Sequence, residues 1–436
     1  MTMNLEEQRE SVRRALDLGK KQGASAVHVN CGNVEKQTVT FASGRLKECS
    51  QASSEKFTVT LVIGGRRGMA SGNDWNALPA LVERAAIFAR NGAVAHFEKY
   101  PSPAPSYQKV KTFSASVDAL TPERIIDDCA EMVSALKKLD ADLTIDAGGG
   151  VQHATSLTAT DAGFWQEEQG TLWSLGAGYQ KTTGTDMLFS GSGRSWRAHN
   201  EFYDPKGILS DLEFDLRHGS KTANASSGPV TLILPPELLE MFLTPLALAL
   251  NGRNVCKGTS PLKGHLGEQR FASNFTVFDN PHIDFAPSSA SADNCGVPTV
   301  ARHLVKDGVP LCFLYDYDTA GMAKEAPTGN ESCAPYTMLV QPGDASFEAL
   351  LKTVKRGVYV KEFLGFGQSN MDNGDFSANL SLAFWVENGE ITNRVKNAMV
   401  AGNLFELLRN GPQFSSDTHP WNQQPYAFFP NVSLKS

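Results

Sequence analysis

Residues 218–250 read HGSKTANASSGP, then VTLILP, then PELLEMFLTPLALAL. The first block is small and polar, the composition of a connection between folded units. The second is a short apolar run of the kind that forms a buried strand, and the third is expected to be a strongly apolar helix over 236–250. The chain therefore divides here into a unit over 1–222 and a unit over 223–436.

Upstream, Asn4 followed by Glu7 forms a capping-box pattern, and Leu5, Val12 and Leu16 mark one face of a first helix that Gly19 and Gly23 end. The segments AVHVNC (26–31), QTVTF (37–41) and EKFTVTLVI (55–63) carry the β-branched alternation of strands. Gly64 and Gly65 sit in an expected hairpin loop. A helix is expected from about Asn76 to Asn91, and the proline-rich YPSPAPS (100–106) is a stiff, extended connector. Thr121-Pro122 is a helix start, and from about 142 to 200 the pattern is strand-like. The first unit thus reads as α+β with an antiparallel sheet. Beyond the apolar helix the chain is turn-dense with short strands and one further helix near 344–355, so the second unit is expected to be a mostly-β sandwich or barrel.

The 436 residues suggest two or three domains, and 41% hydrophobic against 20% charged residues exclude global disorder. Forty Lys and Arg against 47 Asp and Glu leave a net charge of −7, which argues against direct nucleic-acid binding. No apolar run is long enough to span a membrane, and the charged N-terminus lacks the apolar centre of a secretory signal. The seven scattered cysteines contain no CxxC and read as reduced thiols of a cytoplasmic protein.

Elementary chemistry is sparse. The nine histidines are isolated, with no HExxH or HExxxH, so no zinc site is readable. Neither GxSxG nor a Walker A loop occurs. Ser260 and His265 in SPLKGH form a nominal base–nucleophile pair, but a connecting loop explains them better. Cys295 in SADNCGVP has no neighbouring cation to lower its pKa. Gly365-Phe366-Gly367 is only half of a dinucleotide fingerprint. Asp316, Asp318, Asp372 and Asp375 suit turn formation more than a hard cation. From the residues alone, this is a two-unit protein without a recognisable catalytic set.

The second half carries more. KGTSPLKGHLGEQRF (257–271), FTVFDNP (275–281), SADNCGVPT (291–299), RHLVKDGVPLCFLYD (302–316), PTGN (327–330) and LVQPGDASFEALL (339–351) come in one order. They lead into RGVYVKEFLGFGQSNMDNGDFSANLSLAFWVENGEI (356–391) and MVAGNLFELL (399–408). With FASGRLKECSQASSEKFTVTLVIGGRRGMASGND (41–74), this series resembles the TldD/PmbA family, also called the modulator-of-DNA-gyrase family, over nearly the whole chain. Asn294-Cys295-Gly296 and Asn280-Pro281 depart from its usual acidic Asp-Glu-Gly and Asp-Pro turns, and the tail after Phe414 is atypical.

The resemblance implies a zinc-peptidase complex built from two kinds of chain. The TldD kind carries HExxxH on the helix opening the second domain and a later Cys as third ligand. The PmbA (TldE) kind lacks them. The helix at 236–250 holds no His, and no Cys follows Cys333. The implied role is a non-catalytic subunit acting on unfolded or precursor peptides, binding no zinc itself, beside a TldD-like partner that does. Gly365, Gly367, Asp375, Ser377 and Asn403 are the positions expected to meet substrate, with turn formation an equal or stronger reason for each. The alternatives are a stand-alone homodimer with a binding or different hydrolytic role, and a protein-mediated regulator of a DNA enzyme.

Overall fold

The computed structural model describes residues 5–436. Helix α1 (Leu5–Lys21) turns its buried Val12 and Ala15 toward the sheet; the Asn4 cap expected ahead of it lies outside the described residues. Strands β1 (Ala26–Ala42), β2 (Arg45–Ile63) and β3 (Arg66–Gly72) lead to α2 (Leu78–Asn91) and a two-residue β4 (Ala93–Val94). Helix α3 (Pro122–Leu139) starts as expected, the Thr121 hydroxyl accepting from the Arg124 N–H at 3.3 Å. Strands β5 (Thr144–Thr160), β6 (Trp165–Thr183) and β7 (Asp186–Trp196) and helix α4 (Pro205–Gly219) complete this half.

The seven strands form one antiparallel sheet in the order β4-β3-β2-β1-β5-β6-β7. The runs 26–31 and 37–41 are one continuous strand, and β2 begins ten residues before its apolar part. That extension is polar and exposed, held by ladder hydrogen bonds to β1 and not by burial, so hydrophobic patterning does not reveal it. One face of the sheet packs Val27, Val29, Cys31, Phe57, Val59 and Leu61 against α1 and α2, and farther along Trp173, Leu175 and Ile145 against α3. Because side chains alternate along a strand, the opposite face takes the intervening polar residues.

The second half opens on β8 (Gly228–Leu234), then α5 (Pro236–Phe242), α6 (Thr244–Leu250) and α7 (Gly252–Lys257). The single helix expected over 236–250 is therefore two. Pro245 lacks an N–H and its ring clashes with the carbonyl four residues back, so the chain breaks at Leu243, where ψ is 3°. Leu239, Phe242 and Leu246 still enter one apolar core. A four-stranded sheet follows from β9 (Val277–Asp279), β10 (Arg302–Lys306), β11 (Val309–Pro310) and, after α8 (Tyr317–Ala323), β12 (Met338–Val340). The remaining elements are α9 (Phe347–Thr353), β13 (Arg356–Leu364), β14 (Asp375–Glu387), β15 (Glu390–Arg394), β16 (Met399–Asn403), α10 (Leu404–Arg409), β17 (Gln413–Thr418) and β18 (Pro425–Lys435). Beyond the helix foreseen near 344–355, α7, α8 and α10 are short additions of one to two turns.

Strand β14 pairs with β13 and β16, β16 with β18, β18 with β8, and β8 in parallel with β13. The ring closes into a five-stranded barrel, which removes the unpaired edges of an open sheet. Asn388 and Gly389, both at positive φ, make the expected tight turn into β15. Ile233, Tyr359, Phe384 and Phe428 of the barrel share an apolar cluster with α3, α4 and β5–β7, so the two halves bury surface against one another. No helix among the described residues is long and apolar enough to cross a membrane.

Candidate functional site

The barrel end where β13, β14 and β16 meet gathers all five residues expected to touch substrate. Gly365 follows β13 at φ 82°, and Gly367 lies in a single 3-10 turn whose Cα faces open space. Asp375 opens β14 directly opposite Asn403, the last residue of β16. The Asn403 amide donates to the Asp375 carboxylate at 2.8 Å and to the Asn373 carbonyl at 2.9 Å, while its oxygen accepts from Glu406 N–H and caps α10. Ser377 N–H donates to the Ser369 hydroxyl at 2.8 Å, and that hydroxyl donates back to the Ser377 carbonyl. Beneath the turn, Phe366 and Phe376 pack on Phe242 with centroids 5.5 and 5.1 Å away. The loop is thus anchored by apolar contacts below and polar contacts at its rim, leaving Leu364 exposed.

A second assembly lies between the two halves. The polar face of the first sheet places His28 between Thr60 and Thr160, and Asn30 between Thr58 and Thr158. Loops of the second half cover part of this face and leave a cavity of about 370 Å³. It is lined by His28, Arg67, Phe97 and Tyr100 from the first half and by Asp293, Asn294, Cys295, Asp316, Tyr317 and Glu331 from the second. His28 bonds to the backbone of Asn294, and burial lowers its pKa to about 4, so the imidazole is neutral. The Asp293 carboxylate accepts from the Cys295 and Val297 N–H groups, both at 2.9 Å, and burial still raises its pKa to about 6. Burial and the nearby carboxylates push the Cys295 thiol far up, the opposite of activation.

The β2 edge is the third feature. β3 pairs with β2 only from Phe57 onward, so residues 45–56 pair with β1 on one side and, among the described residues, with no strand on the other. A row of free backbone N–H and C=O groups is a template for an added strand.

The other candidates resolve into structural roles. Ser260 is buried and donates to the Ala249 carbonyl at 2.5 Å, while His265 pairs with Glu268 at 2.8 Å. Asp316 caps α8 through the Thr319 N–H, and Asp318 accepts from the His96 N–H. The histidine pair of an HExxxH zinc site is absent from α5 and α6, whose only candidate donors are the Glu237 and Glu240 carboxylates. The inward side chains of the two helices are Leu239, Phe242, Leu246 and Leu250, hydrocarbon without a lone pair to donate. Among the described residues no three His, Cys, Asp or Glu side chains are grouped to hold a metal. Local sequence offers little that would have found the cavity; only the alternating Thr, His and Asn of β1, β2 and β5 hint at a polar face beneath other structure.

Comparison with known proteins gives concordant likenesses. Residues 227–436 match the PmbA/TldA metallopeptidase C-terminal domain, and residues 32–89 match PmbA/TldA metallopeptidase domain 1, together more than half of the chain. The metalloprotease PmbA of Escherichia coli O157:H7 is 26% identical across 92% of this chain and 89% of its own. Among solved structures, TldE from Thermococcus kodakarensis superposes with a TM-score of 0.85 at 20% identity, covering 98% of this chain and all of its own. A Bacteroides thetaiotaomicron protein named as a modulator of DNA gyrase superposes with a TM-score of 0.87 at 23% identity over the whole of both chains.

Proposed function

The chain belongs to the PmbA/TldD family, and from that premise we propose that it is a non-catalytic subunit of a cytoplasmic peptidase complex. In this reading it holds an unfolded or precursor peptide, while a TldD-like relative bearing HExxxH supplies the zinc. The observation that carries the reading is the apolar pair α5–α6, which offers no histidine where the TldD kind would place its own. The free edge over 45–56 and the polar sheet face supply what peptide holding needs. Main-chain hydrogen bonds along a strand edge give affinity without strict choice of side chains. The rim around Asp375 and Asn403 adds carboxylate and amide groups at the barrel end. The chain's own part in the reaction is to bind and orient; no proton transfer is assigned to any of its residues.

A second reading, a homodimer with a binding role of its own, draws on Asn294 and Cys295. These two departures from the family's acidic turn line the cavity between the halves. Affinity capture of the chain from its native lysate, with mass spectrometry of what is retained, separates the two. The first reading expects stoichiometric recovery of a similar-sized relative carrying HExxxH. Recovery of this chain alone, from a lysate in which such a relative is detectable, would favour the second.

A further inference from the structure

The cavity between the halves carries an imbalance of charge. Its lining holds two arginines and four carboxylates. Arg253 lies 3.1 Å from Asp316, and Arg67 stands 4.0 Å from Asp318, so both cations already face a carboxylate. Among the described residues, Asp293 and Glu331 face no such cation. Asp293 is held by the Cys295 and Val297 N–H groups, and Glu331 accepts from the Asn294 side-chain amide. Burial raises the pKa of both carboxyls, the mark of anions lacking a counter-charge.

The rest of the lining suits hydrocarbon as well as charge. The Phe97 ring lies 5.0 Å from Tyr100 and 5.1 Å from Tyr317, centroid to centroid, and Met69 extends the apolar side. Aromatic faces attract cations, and most strongly where water is scarce. An anionic ligand would meet two uncompensated carboxylates. A bare metal ion would find no third ligand, since no such group occurs among the described residues. About 370 Å³ falls within the size range of small-ligand sites.

We propose that this cavity binds an organic ammonium group, carried by a small amine or by a lysine side chain of a peptide. Asp293 and Glu331 take the charge, and Phe97 and Tyr317 pack on the methylenes. Only the lysine source rests on the peptide-holding reading above; the cavity's preference for an ammonium does not.

Isothermal titration of the purified full chain at neutral pH tests this with three probes: n-butylamine, acetyl-Gly-Lys-Gly-amide and acetyl-Gly-norleucine-Gly-amide. The expected result is saturable binding of butylamine, the lysine peptide or both, and none by the uncharged norleucine peptide. Binding of butylamine alone assigns a free amine as the source, and binding of the lysine peptide assigns a side chain. Glu331→Gln and Tyr317→Leu remove the charge and the ring separately, and each should weaken binding about tenfold or more. Absence of saturable binding by both cations overturns the proposal. So does equal binding of the norleucine and lysine peptides, or wild-type affinity in both folded variants.

Discussion

Arg394 of β15 closes on Asp186 at the start of β7, its Nη2 2.6 and 2.5 Å from the two carboxylate oxygens. Its Nη1 donates to the Met187 carbonyl at 3.0 Å, so one guanidinium ties the barrel side of the molecule to the edge of the first sheet. The Arg394 side chain is only 4% exposed, whereas Asp186 is 33% exposed and has Lys396 at 2.8 Å as a second partner.

That asymmetry predicts unequal losses. Asp186→Asn strands a buried guanidinium and should cost about 3–5 kcal/mol, the range for breaking a buried pair. Arg394→Met leaves Asp186 with water and Lys396 and should cost less, about 1–3 kcal/mol. Urea denaturation of the two variants checks the order. A larger loss for Arg394→Met would show that the clamp's geometry matters more than the buried charge.

The cavity predicts a pH dependence with two opposed parts. Unfolded, His28 has its ordinary pKa of 6.5; folded, about 4. Its contribution is therefore present above 6.5 and lost as pH falls toward 4. Asp293 goes the other way, from 3.8 to about 6, so its contribution is present below 3.8 and lost as pH rises through 6. Between these values the two offset each other. Asp293→Asn keeps an oxygen for the Cys295 and Val297 N–H groups and removes one part. On acidification from neutral to about pH 4.5 the variant should lose roughly 2 kcal/mol more stability than the parent. Parallel urea midpoints for the two proteins at both pH values would refute the assignment.

Three glycines at the barrel end should respond differently to alanine. Gly374 combines φ 80° with a Cβ position 2.4 Å from the Phe405 ring, so Gly374→Ala should be the most damaging. Gly365 has the positive φ without the clash and should cost about 1–2 kcal/mol. Gly367 has neither, and Gly367→Ala should stay within about 0.5 kcal/mol. Gly367→Trp should then impair peptide binding with little change in thermal midpoint. Unchanged affinity for an unfolded peptide would remove this loop from the peptide site.

Asn403 and Asp375 separate structure from binding in the same way. Asn403→Ala deletes the cap of α10 and should cost about 1 kcal/mol. Asp375→Ala removes an exposed carboxylate that accepts from the Asn403 amide, and should change stability by less than about 0.5 kcal/mol. If the rim meets peptide, Asp375→Ala still weakens binding, which fluorescence anisotropy of a labelled unfolded peptide would detect. Full affinity would make both residues purely structural.

What could be read from the sequence was local. The glycines at 64 and 65, the Asn388-Gly389 turn and the Thr121-Pro122 start each act within a few residues, and each is found where expected. The division of α5 from α6 was also local; Pro245 stood in plain view, but the surrounding leucines hid its effect. A mostly-β second unit, sandwich or barrel, is legible in the sequence, but the closure that decides between them is not. It depends on β8 pairing in parallel with β13, Leu232 beside Val358, across more than a hundred residues. The five residues expected to meet substrate lie at one barrel end because they belong to one compact run, in which β14 and β16 pair Asp375 with Asn403. The cavity needed His28 and Asp293 to meet from opposite halves, and nothing near either residue announces the other.

The purified chain, its TldD-like relative and their mixture should be compared for metal content and for cleavage of an unfolded peptide. A non-catalytic subunit should show no stoichiometric zinc and no chelator-sensitive cleavage by itself, with cleavage appearing when the two are combined in one particle. Stoichiometric zinc on the isolated chain together with chelator-sensitive cleavage would contradict that role.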